Sequence, residues 1–560
     1  MKELLRTGDI FVWMTGAFLG ISIIMICGMV LLIGVNGVDY FHPSSIRYFE
    51  YTGENGDRAM ALGQVYAREV IPQEIMALRG YSDINGRKPY RSMVRIGNRD
   101  LFGEDFRWIA EPDVIKDTLL ANAVCFERTE YGAAYGIIRG LQTNDSQVYD
   151  NEIDAWDAFR RSHPVVRSLV RQIHTIEKDE IGEVNYAIEQ LRRELRMYEY
   201  EAGRGDMDPA AYGVHEARLL EEIRRVERRF GEKQHRIDSL KSLLQGYTLT
   251  LRAFGASGEE TMELPLASIV RGYKPNIMSV TEKVSFYGDK IWEFISDDPR
   301  EANAEGGVFP AIFGTVLMVI LMSLAAVPFG VLAALYLREY ARQGFFVRTV
   351  RIAVNNLAGV PSIVFGMFGL GFFVYFVGGG IDQIFYPERL PNPTYGTGGI
   401  LWASLTLALL TVPVVIVATE EALASIPRGI REGSFALGAT RWDTIRRVII
   451  PTATPGIMTG AILAMARGAG EVAPLMITGV VKLATEMPFD VNAPFFHLDR
   501  KFMHLGFHIY DVGFQTSNVE ANIGMVYTTT LLLLLIILLL NMTAIVLRAR
   551  LRRKYRLAGF

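Results

Sequence analysis

Cysteine is scarce in this chain, and neither sign of charge is in clear excess. The two cysteines, Cys27 and Cys125, are far apart among 560 residues, and Cys27 lies in an apolar run. A disulfide framework is therefore not expected. The formal net charge of −3 favours neither nucleic acid nor a uniformly acidic partner. The length indicates two or more domains.

Catalytic signatures are also missing from the sequence. No GxxxxGK[ST] phosphate-binding loop occurs in it, so the chain is not expected to be an ATPase by that route. No Ser/His/Asp set, carboxylate pair or metal-ligand cluster stands out. We therefore predict no catalytic residue, no metal site, no cofactor bound by this chain and no enzyme activity.

Long apolar runs are what the sequence has instead. Hydrophobic residues make up 50% of the chain and charged residues 21%, so the two kinds must be segregated. A membrane helix needs about 20 apolar residues. Six runs satisfy this, and the first is expected to be an uncleaved anchor because it is too long for a signal peptide. The runs are 11–35, 308–337, 353–377, 400–418, 455–480 and 523–547.

Arginine-rich segments orient these runs. With six spans, the arginines after the second span, those between the fourth and fifth spans, and those of the tail fall on one side, together with the N-terminus. The positive-inside rule makes that side cytoplasmic. We expect residues 1–36 to hold the N-terminus and first span, 37–306 an extracytoplasmic domain, 307–548 the membrane core and 549–560 a basic cytoplasmic tail. The predicted location is the bacterial inner membrane, with both termini in the cytoplasm.

The inserted segment 37–306 is polar and predicted to be α+β. Apolar residues between Ile181 and Tyr198, and again between Leu219 and Leu244, recur at spacings of three and four, which is typical of a helical seam. A Gly/Pro-rich breaker separates them. We predict an antiparallel coiled-coil hairpin at about 170–246. A contact surface and a structural spacer are both open as its role.

The loop 420–455 between the fourth and fifth runs is long and amphipathic. Short helices are expected around Gly438, with Phe435, Leu437 and Trp442 able to enter a groove on a partner. Pro451 and Pro455 are expected to stop the second helix before the membrane. An amphipathic helix resting on lipid is the alternative.

Arg467 and Glu471 lie within the fifth apolar run, where we expect Arg467 near the middle of a helix and Glu471 one turn later on the same face. A charge at bilayer depth costs about 2.5–3.5 kcal/mol on insertion scales. The functional interpretation is an arginine on an anion pathway, held by Glu471 until an anion competes. A purely structural ion pair is the alternative.

A proline breaks the third run. Pro361 follows Asn355 and Asn356 and precedes Ser362. These polar side chains are predicted either to line a cavity or to satisfy backbone groups that the proline frees.

Two sets of motifs carry a family resemblance. Glu432, Phe435, Gly438 and Pro451 are spaced as in the EAA loop of ABC importer permeases, with Gly433 and Ser434 where the family has alanines. The strings GGVFPAIFGT, LREYA, NNLAGVPSIVFGMFGLG and ARGAGEVAPLMITG resemble the A-type permease of the phosphate-specific transport system over about 298–550. Arg467 and Glu471 match the family's ARxxGExAP segment, in which an Arg and a Glu are implicated in transport, although Val472 stands where threonine is usual.

This resemblance implies a six-helix type I ABC importer permease fold and a transporter for inorganic phosphate. It further implies a homologous second permease subunit, two ATPase subunits that carry ATP and Mg²⁺, and a periplasmic phosphate-binding protein. The loop 420–455 would be the coupling helix seated in the ATPase, through Glu432, Phe435, Leu437, Gly438, Trp442 and Pro451. A permease for sulfate, molybdate or phosphonate, and a membrane-anchored sensor or scaffold, are the alternatives.

Overall fold

The computed structural model describes residues 9–53, 56–83, 86–145, 147–256, 258–484, 486–490, 495–516 and 519–556. The chain divides into two compact units. The membrane unit comprises Met1–Tyr40, Ile295–Asp298 and Gly307–Phe560, and the inserted unit comprises Phe41–Phe294 and Pro299–Gly306. Residues 1–8 of the predicted N-terminal segment and the last four residues of the predicted tail lie outside the described residues.

Two antiparallel sheets build much of the inserted unit. The first has the strand order β4-β3-β2-β1-β5, and the second has the order β10-β9-β7-β6-β11 with β8 paired to β7. The strands of the first sheet are β1 (Ile46–Thr52), β2 (Arg58–Val70), β3 (Tyr90–Arg95), β4 (Phe106–Ala110) and β5 (Val114–Leu119). Those of the second are β6 (Val124–Arg128), β7 (Ala134–Gln142), β8 (Val148–Tyr149), β9 (Thr248–Gly255), β10 (Gly258–Pro265) and β11 (Ile269–Tyr273). A short pair, β12 (Pro299–Arg300) and β13 (Glu305–Gly306), completes the strands described there.

A long helix, Glu152–Thr175, packs against the second sheet. It begins where the side chain of Asn151 accepts a hydrogen bond from the backbone N–H of Ile153, which satisfies a free donor of the first turn. Its apolar face buries Phe159, whose ring meets that of Phe126 edge-on at 5.2 Å. The other α-helices of this unit, apart from the hairpin, are Gln73–Arg79, Arg99–Phe102 and Val280–Ser296, whose last two residues are counted with the membrane unit.

The hairpin consists of Ile181–Gly203 and Pro209–Gln245. Val184 of the first helix and Leu219, Ile223, Ile237 and Leu244 of the second are buried, as an apolar seam requires. Across the seam, Arg218 pairs with Glu194 at 3.2 Å and Lys241 with Glu177 at 3.2 Å. These cross-pairs establish antiparallel helices, because high residue numbers in one oppose low numbers in the other.

Six helices of the described chain are long and apolar enough to cross a membrane, which confirms the predicted number. We call them the first to sixth spans in chain order. They are Trp13–Asp39, Phe309–Tyr340, Ser362–Phe385, Ile400–Ala424, Arg441–Gly470 and Asn522–Arg550. The first and last lie within the longer helices Asp9–Asp39 and Val519–Arg556. Shorter helices of this unit are Phe345–Leu357, Arg428–Ala436, Ala473–Thr478 and Leu505–Tyr510.

Two of the predicted spans have the wrong bounds. The third begins at Ser362 and not at Ala353, because Pro361 separates it from the helix Phe345–Leu357. The fifth runs from Arg441 to Gly470 and not from 455 to 480. Pro451 and Pro455 therefore do not stop the helix before the membrane. A π-helical turn, Ile445–Ile449, directly precedes them, and the hydroxyl groups of Thr452, Thr454 and Thr459 donate to nearby helix carbonyls, adjustments that let a span tolerate proline.

Wide π-helical turns recur in the membrane unit, at Tyr336–Tyr340, Gly369–Gly378, Ile445–Ile449 and Asp511–Gln515. Another, Ile176–Glu180, leads into the hairpin of the inserted unit. Such turns add a residue to a helix without ending it, and they are frequent at functional sites.

The fourth span is the most buried of the six, with 67% of its apolar 18-residue stretch inside the protein. Small residues let its neighbours approach closely: Gly456 and Gly460 of the fifth span lie against Ala422 and Ala418. Two residues four apart thus meet two residues four apart, the small-residue packing that membrane helices favour because it brings their backbones together.

Candidate functional site

Arg467 lies in the last turn of the fifth span, and Glu471 directly follows the helix end at Gly470. The helix ends there because Pro474 cannot donate a hydrogen bond to the carbonyl of Gly470, and Glu471 is extended, with φ −80° and ψ 130°. The sequence prediction that Arg467 lies mid-helix and that both residues share one helix face is therefore wrong. The two side chains nevertheless meet, with Nε of Arg467 3.6 Å from Oε1 of Glu471.

The depth of this pair follows from the neighbouring span. Gly468 packs against the thioether of Met322. Met322 lies 13 residues after Phe309, where the second span of 32 residues begins, or about 20 Å along the helix. Arg467 is therefore near the middle of the spans, although it is near the end of its own.

The Arg467–Glu471 pair is long and only partly enclosed. The side chains retain 33% and 21% of their exposure, and 3.6 Å is longer than a charge-assisted hydrogen bond. A pair with this spacing balances charge within the apolar unit and leaves donors of the guanidinium in place for an anion. Those are the properties that a transient anion site requires.

A second location is the segment between the fourth and fifth spans. The helix Arg428–Ala436 begins after Pro427, and the chain turns at Gly438, whose φ of +84° is strained for any residue with a side chain. Thr440 then caps the helical turn at Arg441 by accepting from the N–H of Asp443. The backbone thus forms a tight helix–glycine–helix knob at residues 428–444, which we call the coupling knob after the role that the family resemblance implies for this loop.

Buried contacts fix the inner side of the coupling knob. Arg431 donates to Oε1 of Glu339 at 2.9 Å and to the carbonyls of Leu423 and Ile426. The hydroxyls of Ser434 and Thr444 bond at 2.8 Å and join the two halves. Movement of the knob must therefore involve the ends of the second and fourth spans.

Its outer side is apolar and exposed. Phe435, Leu437 and Trp442 are 46%, 92% and 58% exposed, and Glu432 is also exposed. Three large apolar side chains within eight residues form a surface of the kind that binds a protein or a membrane. Pro451 does not share this surface, because it lies half-buried inside the fifth span.

The residues around the proline of the third span are not brought to the Arg467 pair by any described contact. Asn355 and Asn356 lie at the end of the helix Phe345–Leu357 and are exposed in this chain. Pro361 is the N-cap residue of the helix that begins at Ser362. Gly366 of that helix packs against Pro474, so the start of the third span adjoins the segment after Glu471.

Among the ion pairs that sequence reasoning missed, one contains a fully buried carboxylate and a partly exposed lysine. Nζ of Lys482 lies 3.2 Å from Oδ1 of Asp511, and the Asp511 side chain is fully buried. Lys482 follows the fifth apolar run and Asp511 lies in a segment with no apolar repeat, so no spacing rule joins them. A carboxylate in the otherwise aromatic and apolar string LGFHIYDVGF is the available signal.

Comparison with known proteins identifies the membrane unit. The family described as binding-protein-dependent transport system inner membrane component matches residues 326–557. The probable ABC transporter permease proteins YqgH and YqgI of Bacillus subtilis (strain 168) are each 33% identical to the chain. The first match covers 40% of this chain and 66% of YqgH, and the second covers 40% and 72% of YqgI.

The phosphate transport system permease protein PstA of Mycobacterium leprae is 35% identical over 38% of this chain and 65% of its own length. Among solved structures, the inward-facing MetNI methionine ABC transporter is 20% identical and covers 47% of this chain, with a TM-score of 0.32. The sequence matches, together with six spans and a helix–glycine–helix knob, lead to one conclusion: the chain belongs to the inner-membrane permeases of binding-protein-dependent ABC transport systems.

Proposed function

We propose that the chain is the permease subunit of an importer that moves inorganic phosphate across the inner membrane into the cytoplasm. The observation that carries the proposal is the Arg467–Glu471 pair at mid-depth, in a chain whose relatives include phosphate permeases at 34–37% identity. Members of this family are non-catalytic, multi-pass inner-membrane proteins, and ATP is hydrolysed on a partner ATPase.

The proposed orientation places both termini and the coupling knob in the cytoplasm. Residues 37–306 then lie in the periplasm, and 307–548 form the transport core. The arginines in and just after the coupling knob support this orientation, because the positive-inside rule places such residues in the cytoplasm. They are all exposed: Arg428, Arg441, Arg446 and Arg447. The proposed partners are a homologous second permease subunit, two ATPase subunits that bind ATP and Mg²⁺, and a periplasmic phosphate-binding protein.

The proposed mechanism uses the fifth span as the link between the two locations. Phe435, Leu437 and Trp442 dock in the ATPase, with Glu432 beside them and Gly438 shaping the turn. Closure of the ATPase on ATP displaces the knob, and the continuous helix from Arg441 to Gly470 carries that displacement to Arg467. The anion delivered by the binding protein then competes with Glu471 for the guanidinium, and ATP hydrolysis reverses the state.

The polar groups near Pro361 contribute a lining in this proposal. Asn355, Asn356 and Ser362 flank the break between two helices, where backbone groups are not all used within a helix. They would face a path formed with the second permease subunit.

Phosphate uptake by the reconstituted complex tests the proposal. Arg467→Gln keeps most of the side-chain length but removes the charge, so we expect phosphate uptake to be lost while the complex still assembles. Arg348→Gln removes an exposed arginine outside the spans and serves as the matched control with normal uptake. Normal uptake by the Arg467→Gln complex would contradict the proposed role of Arg467.

Competition experiments separate phosphate from other oxyanions. A guanidinium binds phosphate, sulfate, molybdate and phosphonate by the same charge-assisted hydrogen bonds, so the Arg467 pair does not discriminate among them. We expect an excess of unlabelled phosphate, but not of sulfate, to suppress uptake of labelled phosphate. Suppression by sulfate alone would assign the importer to another oxyanion.

A further inference from the structure

The ion pair between Lys482 and Asp511 has no part in the function proposed above. The Asp511 side chain is fully buried in the membrane unit, whereas Lys482 retains 38% of its side-chain exposure. A buried carboxylate is costly unless a cation compensates it. Asp511 therefore pairs with the ammonium group of Lys482, while more than a third of the Lys482 side chain stays exposed.

The depth of Lys482 can be read from the second span. The N–H of Val481 donates to the carbonyl of Phe502 at 3.0 Å, and the carbonyl of the next residue, Met503, lies against Gly314. Met322, against which Gly468 packs, marks the depth of Arg467 and lies eight residues beyond Gly314 in the same helix. Lys482 is thus about 12 Å from the Arg467 level along the span axis, toward the end at Phe309.

The two ion pairs are joined by one structural element. The helix Leu505–Tyr510 continues into the π-helical turn that begins at Asp511. Gly506 of this helix packs against Val472, the residue that follows Glu471. The helix that leads to Asp511 therefore contacts the residue next to Glu471, which is the carboxylate partner of Arg467.

The Arg467–Glu471 and Lys482–Asp511 pairs also have a similar arrangement. In each, a carboxylate holds a cation that is about one-third exposed, 33% for Arg467 and 38% for Lys482. An ion path needs several weak sites, because a single strong one would retain the ion. Lysine suits such a site because its ammonium is a compact charge on a flexible stem.

We infer that Lys482, positioned by Asp511, is a second binding site for the transported anion. The anion reaches it before Arg467 on its way to the cytoplasm. The inference deepens the proposed function and rests on it. Lys482 contributes the charge, and Asp511 is a positioning residue. Loss of the Lys482 charge should lower the uptake rate by about tenfold, the lower end of what charged clefts contribute to association.

A neutralised pair separates this role from a structural one. The double variant Lys482→Gln with Asp511→Asn leaves no buried charge uncompensated, so the complex should assemble. If Lys482 binds the anion, phosphate uptake by this variant falls about tenfold. If the pair only stabilises the fold, the double variant transports phosphate at the normal rate, and the inference is overturned.

Restoring the charge chemically gives a second test. The chain has two cysteines, Cys27 and Cys125, and both can be replaced by alanine to give a cysteine-free parent. In that parent, Lys482→Cys should lower phosphate uptake about tenfold. Treatment with 2-aminoethyl methanethiosulfonate, which adds an ammonium group to the thiol, should restore it, whereas the sulfonate-bearing analogue should not.

Lys501→Cys provides the matched control, because Lys501 is an exposed lysine of the same inter-span segment; its uptake should be normal with or without either reagent. Recovery of Lys482→Cys by neither reagent, or by both, would refute the inference. Absence of phosphate uptake by the parent complex would instead refute the proposed function, so the two failures are distinguishable.

Discussion

Three carboxylates, Glu293 in the inserted unit and Glu471 and Asp511 in the membrane unit, differ in how cations surround them. In the inserted unit, the carboxylate of Glu293 lies 2.5 Å from Arg300, 3.2 Å from Arg271 and 3.4 Å from Lys290. In the membrane unit, Glu471 faces Arg467 at 3.6 Å and Asp511 faces Lys482 at 3.2 Å. The cations around Glu293 are 16–26% exposed, whereas Arg467 and Lys482 are 33% and 38% exposed.

This difference indicates whether a charged side chain stabilises the fold or binds the transported anion. Three cations around one carboxylate make a compensated cluster that stabilises a fold, and a ligand would have to disrupt it. A single long pair gives up less when an anion competes with the carboxylate. The arrangement around a buried acid is therefore more informative about function than the acid itself.

The largest expected effect tests the comparison at the surface, where each unit has a leucine that is almost fully exposed. Leu437 of the coupling knob is 92% exposed and Leu78 of the inserted unit is 86% exposed. Leu437→Asp should abolish phosphate uptake, because a charge cannot enter an apolar docking groove without an uncompensated desolvation cost. ATPase co-purification and uptake by the reconstituted complex measure this loss.

The matched variant Leu78→Asp should leave uptake and assembly unchanged. Since both leucines face solvent, neither change should alter the unfolding temperature of the chain appreciably. Equal uptake by the two variants would show that the coupling knob does not dock.

The second prediction concerns acid stability of the inserted unit. Burial would raise the pKa of Glu293, but Lys290, Arg300 and Arg271 together lower it below its ordinary value of 4.5. The stabilisation is therefore complete above pH 4.5 and is lost as the pH falls through the lower, folded-state pKa. Glu293→Gln should lower the free energy of unfolding by about 3–5 kcal/mol at pH 7, because it removes the carboxylate partner of Arg271 and Arg300, whereas Lys290 keeps Glu127 at 2.7 Å.

Unfolding of the purified chain, followed by circular dichroism from pH 7 to pH 3, measures this effect. The variant should lose less additional stability on acidification than the parent. Glu259→Gln, which breaks an exposed pair with Arg252 at 3.4 Å, is the control and should cost less than about 1 kcal/mol. An unchanged unfolding curve for Glu293→Gln at pH 7 would contradict the structural assignment of the cluster.

The smallest effect sharpens the comparison at two helix caps. Asn151 caps a helix of the inserted unit and Thr440 caps the turn at Arg441 in the coupling knob. Replacing either by alanine should cost about 1 kcal/mol. For Thr440→Ala we expect faster amide hydrogen exchange at residues 441–444, and for Asn151→Ala faster exchange at 152–155. Unchanged exchange in both segments would show that the caps contribute nothing measurable.

Much of the membrane unit could be predicted from the sequence because the bilayer imposes a length and a composition on each span. The count of six follows from that constraint alone. Helix ends were harder. Pro361 does separate two helices, whereas Pro451 and Pro455 lie within one, and the difference arises from a π-helical turn and threonine hydroxyls that no single-residue rule takes into account.

Pairings between distant segments could not be predicted. The sequence indicated short strands in the inserted unit, but the order β4-β3-β2-β1-β5 depends on partners far along the chain. The same limit hid the contact between Lys482 and Asp511. Arg467 and Glu471 were identified because they are near in sequence, although the assumed helical geometry was wrong.

The unbroken helix from Arg441 to Gly470 also makes a lever. Its 30 residues span about 45 Å, with the knob at one end and the guanidinium of Arg467 near the other. Tilting such a rod by about 5° about its knob end displaces the far end by about 4 Å, more than the length of a hydrogen bond. A modest rocking motion is thus sufficient to shift Arg467 and Glu471 together relative to Met322 of the second span, against which Gly468 packs.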